Sequence, residues 1–360
     1  MINRERLIKT FCDLVQIDSP SSEESEITNE LINRLEKLNL VTELDSYGNL
    51  IAKKGGHGND PIILSAHMDT VEPGRGIKPL VKQDRIESDG TTILGGDCKC
   101  GLSAILEALE SIQEDSTNHI PIEVVLTRAE ETGLQGARNL DYSKINSKQA
   151  IVFDGEGAPS RITLAAPKYI GFEIEVTGRA AHAGFEPEKG LSAIKIASEI
   201  ITRLPQGRLD SESTFNTGTI EGGSVRNAVP EQTILRGEFR SINIETMDDM
   251  QVQLSNALSE VRALFPDAEI SEHFETEFES YSLNDKDPAV QRVVQALNKI
   301  GMEPTMGKSG GGSDGNIFRQ RGIQSVVVGM GDHGMHTVRE FVTISDLVDA
   351  AHLCEEIIRE

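Results

Sequence analysis

The sequence predicts an α/β fold, with a mostly parallel sheet sandwiched by helices and a smaller α+β domain inserted into it. Two observations predict it. Short apolar runs and amphipathic runs alternate at both ends of the chain, as in a parallel sheet covered by helices. In the middle the order is strand, helix, two strands, helix and strand, which is typical of a ferredoxin-like sheet. We therefore expect a discontinuous domain of residues 1–168 and 281–360 around an inserted domain of residues 169–280.

The elements of the first part follow from hydrophobic spacing and turn residues. Ser21 and Glu24 have the spacing of a capping box, which predicts that an amphipathic helix begins there. Residues 41–44 and 49–53 flank a Tyr47-Gly48 turn and predict a hairpin. The apolar run 62–66 predicts a strand buried on both faces. The elements predicted next are a helix over 102–112 and strands over 122–126 and 150–153.

The middle and last parts are predicted in the same way. In the inserted domain we expect strands over 171–176, 214–220, 233–240 and 270–277, and helices over 191–204 and 247–264. After about residue 280 the pattern of the first part resumes. It predicts a helix near 290–300, a glycine-rich loop, a strand over 325–328 and a last helix from Ile344.

Composition excludes several classes of function. With 35 basic and 58 acidic residues the formal net charge is −23, so the chain lacks the basic face that nucleic-acid binding requires. No run approaches the roughly 20 apolar residues that span a bilayer, and the N-terminus lacks the apolar region of a secretory signal. The four cysteines are too few for a disulfide framework, which favours the cytoplasm.

Several side chains with chemical potential lie at the ends of predicted strands. His67 and Asp69 follow the buried strand, and their spacing lets Asp69 orient a metal-binding His67 from behind. Such a pair is also common as ordinary polar residues at a strand end. Glu130 and Glu131 follow the next strand and point in different directions. One can bind a cation while the other takes a proton from water, although a solvated acidic loop is the alternative.

Two further acids and a cysteine pair complete this set. Asp154 ends another apolar strand, and ligand sites in open α/β sheets lie at those ends. Asp97 follows two glycines at the start of a predicted helix, where it is either a ligand or a simple helix cap. Cys98 and Cys100 are not expected to bind metal, because structural zinc sites prefer more residues between paired cysteines.

Short motifs follow one another along the chain: HMDT at 67–70, GGDCKCG at 95–101, AEETGLQGA at 129–137, VFDGEG at 152–157, RAAHAG at 179–184, RNAVPE at 226–231, GGGSDGN at 310–316 and HTVREF at 336–341. In this order they resemble the motifs of the M20 metallopeptidases, and within that family the chain is most similar to peptidase T-like tripeptidases. The resemblance covers essentially the whole chain. It implies a zinc-exopeptidase-like catalytic domain and an inserted domain that acts as a lid or in dimerisation.

The resemblance also implies roles for individual residues. Two divalent metal ions, Zn²⁺ or else Co²⁺ or Mn²⁺, are expected at mixed imidazole and carboxylate ligands. The implied ligands are His67 and Asp154 for one ion, Glu131 and His336 for the other, and Asp97 bridging both. Asp69 is implied as the partner of His67, and Glu130 as the general base. His333 is set aside in favour of His336, because only His336 has the HxxxE spacing to Glu340.

The remaining implied residues concern the substrate. His182 matches the histidine that stabilises the oxyanion in relatives, and Asn227 and Arg240 match the family's substrate positions. Arginine suits a terminal carboxylate because its planar fork donates paired hydrogen bonds. The Gly310–Gly315 loop fits a nucleotide-binding spacing, but we predict a helix before it where such signatures require a strand. We expect its backbone to approach the substrate instead, at Gly312 and Asp314.

Together these implications predict a metal-dependent exopeptidase that acts on short peptides with a free carboxylate, without nucleic-acid or membrane partners. Two alternatives stay open. One is an aminoacylase or deacylase of N-acyl amino acids, which the shared motifs do not separate from a peptidase. The other is a non-catalytic metal- or peptide-binding protein, which is expected to have lost the base or a ligand. A homodimer through the inserted domain is also expected from the resemblance.

Overall fold

The computed structural model describes the whole chain, Met1–Glu360. The helices are α1 Arg4–Val15, α2 Ser25–Lys37, α3 Gly96–Glu114, α4 Gln135–Arg138, α5 Ala193–Ile201, α6 Ile244–Leu264, α7 Pro288–Lys299, α8 Asp314–Gln320 and α9 Ile344–Ile358. None of them combines the length and the hydropathy of a membrane-crossing helix. The strands are β1 Val41–Leu44, β2 Leu50–Lys54, β3 Ile62–His67, β4 Leu80–Val81, β5 Arg85–Glu87, β6 Ile122–Thr127, β7 Gln149–Gly155, β8 Arg161–Ala166, β9 Lys168–Thr177, β10 Gly207–Arg208, β11 Ser213–Gly222, β12 Gln232–Ser241, β13 Glu269–Phe278, β14 Tyr281–Ser282, β15 Thr305–Lys308, β16 Gln324–Gly329, β17 Asp332–His333 and β18 Phe341–Thr343.

The chain forms two compact units. The larger unit contains Met1–Ala165, Ser282–Ser309 and Ser313–Glu360. The smaller one, called the inserted unit, contains Ala166–Tyr281 together with Gly310–Gly312. Each unit has its own hydrophobic core.

A nine-stranded sheet runs through the larger unit in the order β1-β2-β6-β3-β7-β16-β8-β14, with β15 beside β8. Its central strands β6, β3, β7 and β16 are parallel, whereas β2 and β8 pair with them in the antiparallel sense. Every residue of β3 and β6 is buried, as expected for parallel strands covered on both faces. The predicted hairpin is confirmed in β1 and β2.

Helices cover both faces of this sheet. Alternate strand residues point to opposite faces. Leu64 and Phe153 pack into the core that contains residues of α1, α2, α3, α7 and α9. Val327 points to the other face, where it lies under Gly315 of α8. This arrangement confirms the predicted sheet sandwiched by helices.

Helix α3 lies unusually close to the sheet at Gly101. A Cβ added at Gly101 would lie 2.3 Å from the carbonyl oxygen of Phe153 and 3.1 Å from Cβ of Ala66. We expect Gly101→Ala to lower the free energy of unfolding by about 1–3 kcal/mol, because the helix must move away from the strand. Urea denaturation measures this loss. Gly55→Ala, where no atom lies within 4 Å, is the control and should change stability little.

The inserted unit has an antiparallel sheet in the order β10-β11-β12-β9-β13. Its long strands β9, β11, β12 and β13 are separated along the chain by α5, by a turn and by α6, which gives the order strand, helix, two strands, helix, strand. Helices α5 and α6 pack against each other and contribute Ile196 and Leu254 to one core with Phe215. The predicted ferredoxin-like arrangement is therefore confirmed.

Two local predictions are wrong. Ser21 and Glu24 form no capping box: α2 begins at Ser25, and Glu24 makes no side-chain cap. Both side chains have other partners, because Ser21 Oγ donates to Asp69 and Glu24 accepts from the N–H of Ala129.

The element before the glycine-rich loop is also not as predicted. It is strand β15, not a helix. The loop therefore does connect a strand to a helix, as a phosphate-binding loop does. Helix α8 nevertheless begins with the buried carboxylate of Asp314 at its first position, where it would repel a phosphate.

Candidate metal centre and substrate-binding residues

The parallel strands bring four of the predicted side chains to one edge of the sheet. His67 is the last residue of β3, Asp154 lies near the end of β7, and Glu130 and Glu131 follow β6. Since β6, β3 and β7 are adjacent and parallel, their carboxyl ends meet at the same edge. The chain reverses after β6 through Ala129, whose φ of +50° is in the left-handed region.

Asp97 reaches this edge from the first turn of α3. The helix is kinked there, because Asp97 and Cys98 have non-helical backbone angles after Gly95, whose φ is +74°. As a result the Asp97 carboxylate lies between two histidines. Its Oδ1 is 3.0 Å from His67 Nε2, and its Oδ2 is 3.2 Å from His336 Nε2.

The predicted ligands form two groups that share Asp97. The donor atoms of His67, Asp97 and Asp154 lie within 4.8 Å of one another, and so do those of Asp97, Glu131 and His336. His336 Nε2 is 3.1 Å from Glu131 Oε1. Imidazole nitrogens and carboxylate oxygens are donors that Zn²⁺ accepts, and three of them converge in each group. The residues therefore fit a pair of divalent cations.

Asp69 holds both His67 and the loop with the two glutamates. His67 Nδ1 donates to the backbone carbonyl of Asp69 at 3.0 Å, so Nδ1 carries a proton and Nε2 faces the cluster formed by the two donor groups. The Asp69 carboxylate lies 3.4 Å from the same nitrogen and accepts hydrogen bonds from the N–H groups of Glu130 and Glu131, at 3.0 and 3.2 Å. Burial would raise the pKa of Asp69, but the His67, Ser21 and Glu130 hydrogen bonds lower it to about 2.

The cluster concentrates negative charge away from water. Burial raises the pKa of Asp154 to about 7 and also raises the pKa of Glu131. Burial alone would do the same to Asp97, but the hydrogen bonds from His336 and His67 hold its pKa well below the usual range. Hydrogen bonds to Asp97 and Glu131 raise the pKa of His336 to about 10. Close-packed carboxylates need countercharge, which divalent cations supply.

We expect zinc binding at neutral pH to release protons, since its ligands are neutral imidazole and carboxylate. His336 has a pKa of about 10 and therefore holds a proton at neutral pH. Asp154 has a pKa of about 7 and is about half protonated there. The zinc affinity should therefore rise as the pH increases from about 6 to 8. Titration calorimetry in buffers of different ionisation enthalpy counts the protons. An affinity independent of pH over this range contradicts the prediction, and the exposed His182→Gln is the control.

Glu130 has a different environment from Glu131. It is buried, and one of its oxygens lies within 4.8 Å of donor atoms of His67 and Glu131. Burial, and next the charge of Asp154, raise its pKa well above the usual range. It makes no hydrogen bond to His336, which pairs with Glu131. Glu130 is thus a carboxyl group with raised proton affinity at the edge of the cluster, as a general base requires.

Cys98 and His333, which we did not expect to bind metal, have other partners. Cys98 Sγ lies among the donors of the His67 group but donates to the carbonyl of Phe153 at 2.7 Å. Burial raises the pKa of this thiol well above its usual range, which disfavours the thiolate that binds metal. His333 stacks on Phe341 and lies 3.6 Å from Asp346, outside both groups.

Lys99 is a buried cation beside the cluster that the sequence reasoning missed. Its Nζ donates to the carbonyl of Met68 at 2.6 Å and to Ser19 Oγ at 2.9 Å. Burial lowers its pKa to about 8, while the nearby carboxylate of Asp69 opposes that shift. A lysine inside the apolar face of a helix is the sequence signal that could have identified it.

Asp314 was predicted at the substrate and is buried behind the cluster. It accepts a hydrogen bond from Thr127 Oγ1, and its second oxygen has no hydrogen-bond partner. Burial raises its pKa to about 6. Gly312 belongs to the inserted unit, where a Cβ would lie 2.2 Å from the ring of Phe278. Its lack of a side chain therefore serves packing against this ring.

His182 and Asn227 are neighbours on the inserted unit. The N–H of Ala183 donates to the carbonyl of Asn227 at 3.0 Å. His182 is exposed and stacks on Phe185, with ring centroids 4.3 Å apart. Its Nδ1 accepts from the N–H groups of Gly184 and Phe185, at 3.1 and 3.2 Å. Since Nδ1 accepts, a neutral His182 carries its proton on Nε2 and can donate it outward.

Arg240 lies on β12 with a partner on one side of its guanidinium. Glu238 accepts from Nε at 3.1 Å and from Nη2 at 2.7 Å. The ring of Tyr169, opposite Arg240 in the sheet, lies 4.2 Å from the guanidinium carbon. These two contacts hold the group flat, and they leave its Nη1 side for another acceptor.

Comparisons with known proteins relate this chain to peptidases. Residues 165–263 match the peptidase dimerisation domain described for M20 peptidases, and residues 49–189 match peptidase family M28. The chain is 39% identical to the uncharacterised protein YqjE of Bacillus subtilis, over 100% of this chain and 99% of that protein. Aminopeptidase PepT of Bacillus cereus has a TM-score of 0.87 and 36% identity, over 99% of this chain and 98% of that one. A tripeptidase of Staphylococcus aureus has a TM-score of 0.92 and 34% identity with the same coverage.

Proposed function

The chain belongs to the M20 family of metallopeptidases and is a peptide hydrolase similar to peptidase T; from this premise we propose that it is a dinuclear exopeptidase for short peptides with a free carboxylate. The observation that carries the proposal is the pair of donor groups sharing Asp97. The likeness of the whole chain to the aminopeptidase of Bacillus cereus and the tripeptidase of Staphylococcus aureus supports the substrate class.

His67 and Asp154 would hold one divalent ion, Glu131 and His336 the other, and Asp97 both. Zn²⁺ suits this donor set, with Co²⁺ and Mn²⁺ as the alternatives. When bound, the ions supply Lewis acidity toward a carbonyl and lower the pKa of water. The chain's own part is to hold the donors: Asp97 offers one oxygen to each group, at 3.0 and 3.2 Å from the two histidines.

Glu130 would be the general base and then the general acid. Its raised pKa keeps the carboxylate basic enough to take a proton from the attacking water. The protonated carboxyl group can then give this proton to the leaving amine. The hydrogen bond from the Glu130 N–H to Asp69 Oδ1 fixes the backbone at Glu130. The side chains of Glu130 and Glu131 therefore keep their different directions, one for proton transfer and one for metal binding.

His182 would stabilise the oxyanion that forms when the carbonyl is attacked. The two N–H groups on Nδ1 favour the tautomer with the proton on Nε2, so the ring can donate a hydrogen bond while neutral. Asn227 on the adjacent segment would contribute to substrate binding. The match of residues 165–263 to a peptidase dimerisation domain supports a homodimer through the inserted unit.

Arg240 would bind the free carboxylate of the peptide. Glu238 occupies the Nε side of the guanidinium, so a substrate carboxylate would accept from the Nη1 side. Tyr169 beneath the group keeps it in place. An arginine held on two sides before the substrate arrives loses little freedom on binding.

A substrate panel tests the proposal. Hydrolysis of tripeptides is compared with that of the same tripeptides amidated at the C-terminus and of N-acetyl and N-succinyl amino acids. We expect the free tripeptides to be preferred, and this preference to fall in Arg240→Met. Arg236→Met, which replaces an exposed arginine paired with Glu173 and Glu221, is the matched control. Faster hydrolysis of N-acyl amino acids indicates a deacylase instead, and zinc binding without any turnover indicates a binding protein.

A further inference from the structure

Glu340 is a buried glutamate whose carboxylate accepts hydrogen bonds from the loop that carries Asp97. Its Oε2 accepts from the N–H of Leu94 at 2.7 Å and of Gly95 at 2.8 Å. Its Oε1 accepts from the N–H of Asp97 at 3.2 Å. Glu340 is 1% exposed, so water does not compete for these donors. Its spacing from His336 was noted in the sequence, but the proposed reaction gives it no task.

One of these hydrogen bonds, from the N–H of Asp97, replaces a local helix cap. The first N–H groups of a helix lack partners within the helix and are usually satisfied by a nearby side chain. At the start of α3 the N-cap residue is Gly95, which has no side chain to do this. Glu340 supplies the acceptor for the Asp97 N–H from a sequence separation of 243 residues, and its negative charge suits a helix N-terminus.

Glu340 also belongs to the loop that carries His336. The N–H of Glu340 donates to the carbonyl of Thr337 at 3.0 Å, which closes a turn directly after His336. The same residue therefore holds the backbone of Asp97 through its side chain and the His336 loop through its own backbone. Asp97 and His336 are two of the three residues in one donor group.

The space behind this loop is filled, so the hydrogen bonds set its position. A Cβ added at Gly96 would lie 2.6 Å from Asp332 Oδ1 and 2.8 Å from a methyl carbon of Val342. Val342, which lies two residues after Glu340 in the chain, pairs with Asp332 across β17 and β18. Residues 94–97 thus lie between Asp332 and Val342 on one side and the cluster on the other. Glu340 holds these residues by its hydrogen bonds.

We propose that Glu340 is a positioning residue of the metal centre, which holds Asp97 and His336 at the spacing that one divalent ion requires. This inference rests on the proposed function. The ion held by Asp97, Glu131 and His336 depends directly on Glu340. The ion held with His67 and Asp154 depends on it only through Asp97, because the strands fix those two residues.

The test measures metal binding by Glu340→Gln, which keeps the shape but replaces one acceptor oxygen with a donor. Zinc affinity is measured by competition with a chromophoric chelator, and the visible spectrum of the Co²⁺ form reports the ligand geometry. We expect one of two zinc ions to bind roughly 10- to 100-fold more weakly, with an altered cobalt spectrum. Glu340→Asp keeps the charge with a shorter reach, should give the same result, and serves if the glutamine variant does not fold.

Glu123→Gln is the matched control. Glu123 is buried and accepts from the backbone N–H groups of Asn146 and Ser147, but it lies at the amino end of β6, away from the cluster. It should lower stability and leave both zinc affinities unchanged. Two zinc ions bound by both Glu340 variants with wild-type affinity and spectrum overturn the inference alone. A wild-type chain that binds no pair of ions overturns the proposed function and this inference with it.

Discussion

Glu130→Gln is expected to lower kcat by roughly 100- to 10,000-fold while two metal ions stay bound. Glutamine keeps the size of the side chain but can neither take a proton from water nor return one to the leaving amine. Metal binding is retained because His336 pairs with Asp97 and Glu131 and not with Glu130. Steady-state kinetics on a tripeptide and metal analysis of the dialysed variant measure the two effects.

The neighbouring substitution separates a base from a ligand. Glu131→Gln should lose metal as well as activity, because Glu131 is a donor in the group with Asp97 and His336. The two variants differ by one position in the chain and test opposite roles. Turnover near the wild-type level in Glu130→Gln, with metal bound, would assign the base to another group.

The sequence could predict the part of the site that depends on parallel strands. Hydrophobic runs located β3, β6 and β7, and parallel pairing brings their carboxyl ends together whatever the loops do. His67, Glu131 and Asp154 could therefore be grouped before their distances were known. The order of elements in the inserted unit was also predictable, because hydrophobic periodicity depends only on local neighbours in the sequence.

The rest of the site depends on contacts between distant segments, which periodicity does not contain. The attachment of Glu340 to Leu94 joins residues separated by 246 positions. The false capping box has the same origin. Ser21 and Glu24 have a suitable local spacing, but Asp69 and Ala129 compete for their side chains in the folded chain. Local patterns thus fail where a polar group finds a better partner far along the chain.

Asp97→Asn is expected to weaken binding of both metal ions, which distinguishes it from substitutions of the other ligands. An asparagine offers an uncharged carbonyl oxygen to one ion and an amide nitrogen, which is not a ligand, to the other, so both ions lose the attraction of the carboxylate. It also removes a charge that the hydrogen bonds from His336 and His67 keep ionised in the free site. Activity should fall by at least the factor expected for Glu130→Gln, roughly 100- to 10,000-fold.

The comparison with Asp154→Asn makes this prediction specific to a bridging residue. Asp154 lies 3.5 Å from His67 Nε2 and belongs to only one donor group, so its substitution should weaken one ion and spare the other. Zinc titration of the two variants gives the number of tight sites directly. If Asp97→Asn retains one site at full affinity, as Asp154→Asn should, then Asp97 serves a single ion and the two groups are independent. If Asp97→Asn weakens both zinc sites and Asp154→Asn weakens only one, then the Asp97 carboxylate serves both ions.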